Sequence, residues 1–432
     1  MKKVVLSALM ISALSFVSCS DDDDNNITGP GVNIPTVNQI ITGNDFSRAS
    51  NGDYNNDYIS NYATLFTRDG KPTVSFSGQT TRLKQTKEIG GNLKSTTSVD
   101  NIQLKFEGQD GKSAGFTDAS LNGTTKIVRA KTSSSIGLFS TNKNESGQGK
   151  INVEFIDAFI AGHQDVIDNW ATTAAAGQAG TFTESNGTDV RYVDAKGREL
   201  DQLFTKSMAG ALAYDQAVNH YFNRLDDEND GTNNYRTLND AGTVDDDNAY
   251  TTMEHHWDEA FGYIYGNTSA QNLIYKYIDN VDGLTKFAGI ERDIFEAFVA
   301  GRIAIVEKDY AARDTQIDIL REKLGLVIAV RAVHYLSGGA KIIDAVASGS
   351  GKREDAFHDL CEGYGFINSL RYVVDENDEP YFKDSDVDAF LTTLDAGNGL
   401  WDVTSADLKN IADDIAAKSV GGLAWTVEDV NP

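Results

Sequence analysis

Apolar residues spaced three or four positions apart recur along most of the chain, and this period indicates amphipathic helices. Such stripes begin at Phe155, Leu200, Tyr250, Ile294, Ile317, Val387 and Leu408. The segment 324–336 is apolar on nearly all sides, interrupted only by Arg331 and His334, so we expect its helix to be buried. No proline lies between positions 73 and 379 to break a helix. We therefore expect an all-α fold built from helical bundles.

Three sequence blocks occur twice in the same order, which indicates an internal duplication. The pairs of blocks are 155–163 with 294–302, 219–222 with 333–336, and 255–264 with 358–367. We expect two helical units related by a pseudo-two-fold axis, one at residues 61–285 with an N-terminal extension and one at residues 286–432. Gly162 and Gly301 hold equivalent positions in this repeat, and we expect both at close helix contacts.

The start of the chain has the pattern of a lipoprotein signal peptide. Lys2 and Lys3 precede an apolar run that ends at Ser18, and residues 1–18 are too short to span a membrane. Cys19 follows directly and resembles the cysteine that is acylated in bacterial lipoproteins. The acidic run 21–24 resembles an export tag for the cell surface, and the polar residues 19–60 are typical of a tether. We expect an outer-membrane lipoprotein that faces the cell exterior.

Composition narrows the classes of partner and chemistry. The chain has 38 basic and 64 acidic residues and a net charge of −26, which excludes nucleic acid as a partner. A cationic or metal-bearing ligand is compatible with this charge, and so is a simple role in solubility. Once Cys19 carries lipid, Cys361 has no partner for a disulfide and is expected to be buried. Common catalytic motifs are absent from the sequence, so an enzyme is the weaker hypothesis.

The histidines that carry candidate chemistry lie beside carboxylates. His255 and Glu259 are four residues apart, as are His358 and Glu362, so each pair shares one helix face. Two converging pairs would supply four metal ligands, whereas separate pairs would be buried hydrogen bonds between helices. His256 lies three residues before Glu259 and is an alternative ligand. His163 is replaced by Arg302 in the second copy, which suggests a polar group facing the gap between the units.

An acidic loop resembles the start of a calcium-binding loop. Asp226, Glu228 and Asp230 supply oxygens at alternate positions, and Gly231 takes the sixth place. Thr237 stands where such a loop has its bidentate glutamate. The two interpretations are a bound calcium ion and a solvated acidic loop.

Four sequence blocks carry a resemblance to a known family. The segments 66–70, 76–80, 253–262 and 301–310 resemble the bacterial lipoproteins called domain of unknown function 4856, over about residues 60–425. That family looks like a relative of the imelysins, which are duplicated helical-bundle proteins linked to iron uptake and marked by Gly-x-His-x-x-Glu. His256 and Glu259 match this motif, with Glu254 in place of its glycine.

The resemblance implies a surface protein that binds a ligand in the uptake of iron, another metal or haem, with an outer-membrane transporter as its partner. Two alternatives follow from the same features. One is a metal-dependent hydrolase of the cell surface, and the other is a non-catalytic partner in an outer-membrane uptake complex.

Overall fold

The structure is a computed structural model that describes residues 62–139, 147–228, 233–244, 248–267 and 273–430, with two short strand segments before them. Cys19, the acidic run 21–24, Asp230 and residues 245–247 lie outside the described residues. The expectations that concern these positions therefore stay predictions.

The described chain is predominantly helical, as the hydrophobic period predicts. The α-helices are α1 (Ser77–Asn92), α2 (Val99–Glu107), α3 (Val128–Lys131), α4 (Ile136–Phe139), α5 (Gly147–Asp168), α6 (Leu200–Met208), α7 (Tyr235–Asp240), α8 (Thr252–Tyr265), α9 (Tyr275–Asp282), α10 (Ile290–Glu307), α11 (Tyr310–Ala347), α12 (Phe357–Ser369), α13 (Asp384–Leu394) and α14 (Ser405–Ala417). A π-helix, Ala209–Tyr221, continues α6, and single 3₁₀ turns connect several of the others.

The strands are short and form small antiparallel sheets. They are β1 (Ile27–Thr28), β2 (Val32–Asn33), β3 (Thr67–Arg68), β4 (Lys71–Pro72), β5 (Gly180–Thr183), β6 (Val190–Val193) and β7 (Thr243–Val244). Strands β2, β3 and β4 form one sheet, β1 pairs with β7, and β5 pairs with β6. Two pairs of residues from the segment expected to be a tether therefore contact the helical body.

Helix α11 is the central helix of the fold. It has 38 residues, and the Asp309 side chain caps its start by accepting a hydrogen bond from the Ala312 amide at 3.1 Å. It packs against α10, α12 and α14, and its apolar segment is buried on several sides as expected. Among the described residues it alone is long and apolar enough to cross a membrane, and 78% of its most apolar window is buried inside the protein.

The predicted starts of the last two long helices are confirmed. Helix α13 begins at Asp384, and α14 begins after Thr404, which forms a capping box with Asp407. Cys361 is buried, as its apolar surroundings indicate.

The stripe beginning at Leu200 departs from a regular α-helix after Met208, where it becomes the π-helix. At this point the Gly210 amide donates to the Ser369 hydroxyl at 2.9 Å instead of closing an ordinary helical turn. A β-carbon on Gly210 would lie 2.5 Å from the Ser369 backbone. The close approach of α12 therefore accompanies the change of helix type, and a periodicity of apolar residues does not record such a contact.

One continuous apolar cluster extends through both predicted units. Helix α6 of the first unit packs along α12 of the second. Within the units, α8 packs against the π-helix and α12 packs against α11. The boundary near residue 285 and the pseudo-two-fold relation stay predictions.

The two equivalent glycines differ in their surroundings. A β-carbon on Gly301 would lie 2.1 Å from the indole ring of Trp257, which is held in place because its Nε1 donates to the Phe298 carbonyl at 2.8 Å. A β-carbon on Gly162 would lie 3.5 Å from a Leu200 methyl, an ordinary contact. The expectation of a close helix contact is thus right for Gly301 and wrong for Gly162.

We predict that Gly301→Ala lowers the free energy of unfolding by about 1–3 kcal/mol, because the new methyl group overpacks against Trp257. Gly162→Ala is the matched control and should be neutral or gain up to about 1 kcal/mol, because alanine favours the helix. Urea denaturation of both variants measures the difference. Equal stability of the two variants would contradict the packing argument.

Candidate functional site

The first repeated pair lies on α8 and is fully engaged with its neighbours. His255 Nε2 lies 3.8 Å from Glu259 Oε1, and the imidazole stacks on the Tyr250 ring with the centroids 4.4 Å apart. Glu259 also accepts a hydrogen bond from Gln79 Nε2 at 2.7 Å, and the same amide contacts the Tyr221 hydroxyl at 3.1 Å. This pair is therefore a hydrogen-bonded junction between α8, α1 and the π-helix.

His256, the next residue, lies in the core beside this junction, with its ring centroid 5.8 Å from that of Tyr221. Its side chain is fully buried, and Nδ1 donates to the Arg224 carbonyl at 2.8 Å. The ring packs edge-on against Tyr235 at 4.7 Å. Of the two neighbouring histidines, it is His255 that approaches Glu259, as the internal repeat predicts.

The second repeated pair lies on α12 beside a cluster of charges. His358 Nδ1 donates to Glu199 at 3.0 Å, and its Nε2 lies 4.0 Å from Glu362. Glu362 forms an ion pair with Lys206 Nζ at 2.9 Å and is hydrogen-bonded to the Tyr335 hydroxyl. The His358 side chain is 27% exposed, so solvent reaches this cluster.

The protonation states follow from these contacts. Burial opposes the charge on His358, but Glu199 and Glu362 outweigh it and raise the pKa of His358 above its ordinary 6.5. Burial also opposes ionisation of Glu362, yet Lys206 and Tyr335 hold the pKa of Glu362 below its usual value. A protonated imidazole donates two hydrogen bonds and has no free lone pair for a metal.

The two pairs do not form the expected four-ligand set. Glu259 is held by Gln79 of α1, whereas Glu362 is held by Lys206 of α6. In the described part of the chain, no three His, Cys, Asp or Glu side chains come together to hold a metal ion. The histidine and glutamate have the same spacing in both pairs, so the sequence could not show that different helices pack against them.

The candidate calcium loop is described only in part, because Asp230 lies outside the described residues. Asp226 pairs with Arg313 at 2.8 Å, and Glu228 accepts from Asn233 at 2.8 Å. The two described carboxylates are therefore engaged with neighbouring side chains. The solvated-loop interpretation agrees with their contacts.

The exchanged positions His163 and Arg302 are both fully buried. His163 Nε2 donates to the Ser95 carbonyl at 2.8 Å, and burial lowers the pKa of this imidazole, so it is neutral. Arg302 instead enters an ionic network. The expectation that these side chains face a gap is therefore wrong.

The network around Arg302, which we call the Arg302 network, joins α8, α10 and the N-terminal strands. Arg302 lies 3.0 Å from Glu254 and 3.1 Å from Asp258, and Arg68 of β3 pairs with Glu254 at 3.1 Å. The Tyr62 hydroxyl donates to Asp258 at 2.8 Å. Burial raises the pKa of Asp258 to about 7, although Arg302 and Tyr62 favour its charged form.

A second cluster contains side chains that the sequence did not single out as a site. Arg331 of α11 lies over the Tyr335 ring at 4.4 Å and 5.5 Å from the Tyr277 ring centroid. Lys206 lies 5.5 Å from the same Tyr277 centroid. We name the region bounded by Lys206, Tyr277, Arg331, Tyr335, His358 and Glu362 the Arg331 cleft. The signal in the sequence was Arg331 itself, a charge within an otherwise apolar helix.

A separate cavity of about 320 Å³ lies between the end of the π-helix and the first half of α11. Its floor includes Phe222 and Ile317, and its two guanidinium groups belong to Arg313 and Arg321. Arg313 pairs with Asp226 and Asp314, and Arg321 pairs with Asp318 and Asp378. Both arginines of this cavity thus have acidic partners, whereas Arg331 has no ion-pair partner in the described part of the chain.

We predict that Arg302→Met lowers the free energy of unfolding by about 3–5 kcal/mol, because it leaves buried carboxylates without their cation. Lys150→Met is the control, because it removes an exposed pair with Glu154 and should cost less than about 1 kcal/mol. Urea denaturation compares the two variants. An Arg302→Met protein as stable as the control would overturn this assignment.

Comparison with known proteins places the chain in one family. No curated protein and no solved structure matches it. The model described as Domain of unknown function (DUF4856) matches residues 61–420, which include the Arg302 network and the Arg331 cleft. The chain therefore belongs to the DUF4856 family.

Proposed function

We propose that this chain is a cell-surface lipoprotein that captures a small iron complex in the Arg331 cleft and is not an enzyme. The observation that carries the proposal is the Arg331 guanidinium, which has no hydrogen-bond or ion-pair partner in the described part of the chain. Beside it lie the Lys206 ammonium group, the Tyr277 and Tyr335 rings and the partly exposed His358, and such groups are features of a site for a small polar ligand.

The contacts favour a complexed metal over a bare ion. His358 is engaged with Glu199 and Glu362 with Lys206, so both are already part of ion pairs. A complex that brings its own ligands for the metal needs hydrogen-bond donors and a shaped surface from the protein. Lys206, Arg331 and His358 supply such donors on neighbouring helices.

The process and the location rest on sequence features. Iron acquisition comes from the resemblance to the imelysins at His256 and Glu259. Anchoring on the outer membrane comes from Cys19 after an apolar leader and from the acidic run that follows it. A transporter in the same membrane is the partner that such a binding protein would serve.

Titration of the mature chain tests the proposal with two probes, ferric citrate and haem. We expect stoichiometric binding of at least one probe by calorimetry, with the affinity lowered in Lys206→Gln because a cleft donor is lost. Lys150→Gln changes an exposed lysine on α5 and should bind like the wild type. If neither probe binds, or if Lys206→Gln binds both unchanged, the proposal fails.

The anchor is tested separately. We predict that Cys19→Ala moves the protein from the membrane fraction to the soluble fraction, because the acylated thiol is lost. Its thermal melt should match that of the detergent-extracted wild type, since Cys19 lies before the helical core. Continued membrane association of the variant would overturn the lipoprotein assignment.

A further inference from the structure

Arg331 is a largely buried cation without a hydrogen-bond or ion-pair partner in the described part of the chain. The residue is 6% exposed, and its Nε is buried without a hydrogen-bond partner. Within the described part of the chain, the guanidinium donates no hydrogen bond and joins no ion pair, and its contacts are the Tyr335 and Tyr277 rings. An arginine this buried ordinarily has a carboxylate or a carbonyl against its N–H groups.

A second arginine, on a neighbouring element, is equally buried but has hydrogen-bond partners for its guanidinium group. Arg371 is also 6% exposed and lies over the ring of Phe155 at 5.7 Å. Its Nε donates to Asn368 at 2.8 Å, and its terminal nitrogens pair with Asp384 at 3.0 Å and Asp388 at 2.6 Å. Stacking on an aromatic ring thus does not require a guanidinium to lack polar partners.

Several groups around Arg331 are hydrogen-bonded to other partners and leave the N–H donors of its guanidinium available to a ligand. On its own helix, His334 Nδ1 donates to the Val430 carbonyl at 3.1 Å, and Tyr335 directs its hydroxyl to Glu362. On α12, Glu362 is paired with Lys206. Glu362 is therefore committed to Lys206, whereas Asp359 of α12 acts on Arg331 only through its charge. The Arg331 N–H groups remain to be used by a ligand.

We propose that the Arg331 cleft binds a carboxylate group of a small solute, which the Arg331 guanidinium holds through paired N–H donors with Lys206 and His358 beside it. This inference deepens the proposed function, on which it rests for the role of the cleft, by naming the recognised group. A guanidinium matches the two oxygens of a carboxylate in one plane, so the geometry gives specificity as well as attraction.

The charges of the cleft favour a carboxylate over a phosphate. Lys206 and Arg331 are cations, His358 lies beside them, and the nearby carboxyl groups are those of Glu199, Glu362 and Asp359. A group with one negative charge gains the free guanidinium while meeting modest repulsion from these acids. A phosphate dianion in the same place would be repelled more strongly.

The test is calorimetric titration of the full mature chain carrying Cys19→Ala, with acetate, propionate and lactate, each a monoanion at neutral pH, in chloride buffer at constant ionic strength. Inorganic phosphate is a further probe. The variants are Arg331→Gln, Arg331→Lys and the matched control Arg371→Gln, each checked by thermal melting. Arg331→Lys keeps the charge but loses the fork, so it remains informative if Arg331→Gln fails to fold.

We expect a carboxylate of this series to bind the parent protein and Arg371→Gln alike. Arg331→Gln should bind it roughly tenfold to hundredfold more weakly, with Arg331→Lys in between. The inference is overturned if no carboxylate binds, if Arg331→Gln binds as the parent does, or if phosphate binds more tightly than every carboxylate. Ferric citrate binding that ignores Arg331 would overturn it and leave the proposed function standing. If a carboxylate binds in an Arg331-dependent way but neither ferric citrate nor haem binds, this inference stands and the proposed function is overturned.

Discussion

The burial of one guanidinium, that of Arg302, constrains much of this fold. A charge removed from water must be surrounded by opposite charges and hydrogen-bond acceptors. Glu254 and Asp258 of α8 meet this need, and Arg68 also pairs with Glu254. The cluster holds α8, α10 and β3 in one arrangement, because a shift of any of the three would leave a buried charge unpaired. Gly301, the residue before Arg302, lets the Trp257 ring approach the same part of α10.

The two repeated His-x-x-x-Glu pairs show how one sequence pattern can meet two chemical environments. In the first pair, the neutral amide of Gln79 donates a hydrogen bond to Glu259, and the Tyr250 ring stacks on His255. In the second pair, the Lys206 ammonium group forms an ion pair with Glu362, and Glu199 accepts a hydrogen bond from His358. The first junction joins α8 to α1 and the π-helix. The second adds Arg331, whose donors are unused within the described chain, and this difference is why we assign ligand binding to the second.

Much of the fold was predictable from the spacing of apolar residues. The long buried helix α11, the capped starts of α13 and α14 and the burial of Cys361 follow from local sequence, because amphipathic period and caps act over a few residues. The π-helix was not predictable, because the contact between Gly210 and Ser369 joins positions far apart in the chain. The candidate site likewise combines local features, which the sequence shows, with distant contacts, which it does not. The spacing of His255 and Glu259, and of His358 and Glu362, was evident in the sequence. Their partners Gln79 and Lys206, which make the two pairs chemically different, come from other helices. The lack of hydrogen-bond partners at Arg331 is a property of tertiary structure alone.

Helix α11 has a further consequence for a chain that we propose to be exported. Its most apolar window has the length and hydropathy of a membrane anchor, and an exported chain meets the membrane before its core has formed. Arg331 lies near the middle of this helix, where an arginine opposes insertion into a bilayer by about 2.5–3.5 kcal/mol. In such an exported chain, the residue that we assign to the cleft would also disfavour retention of α11 in the lipid and favour passage of the whole polypeptide to the far side.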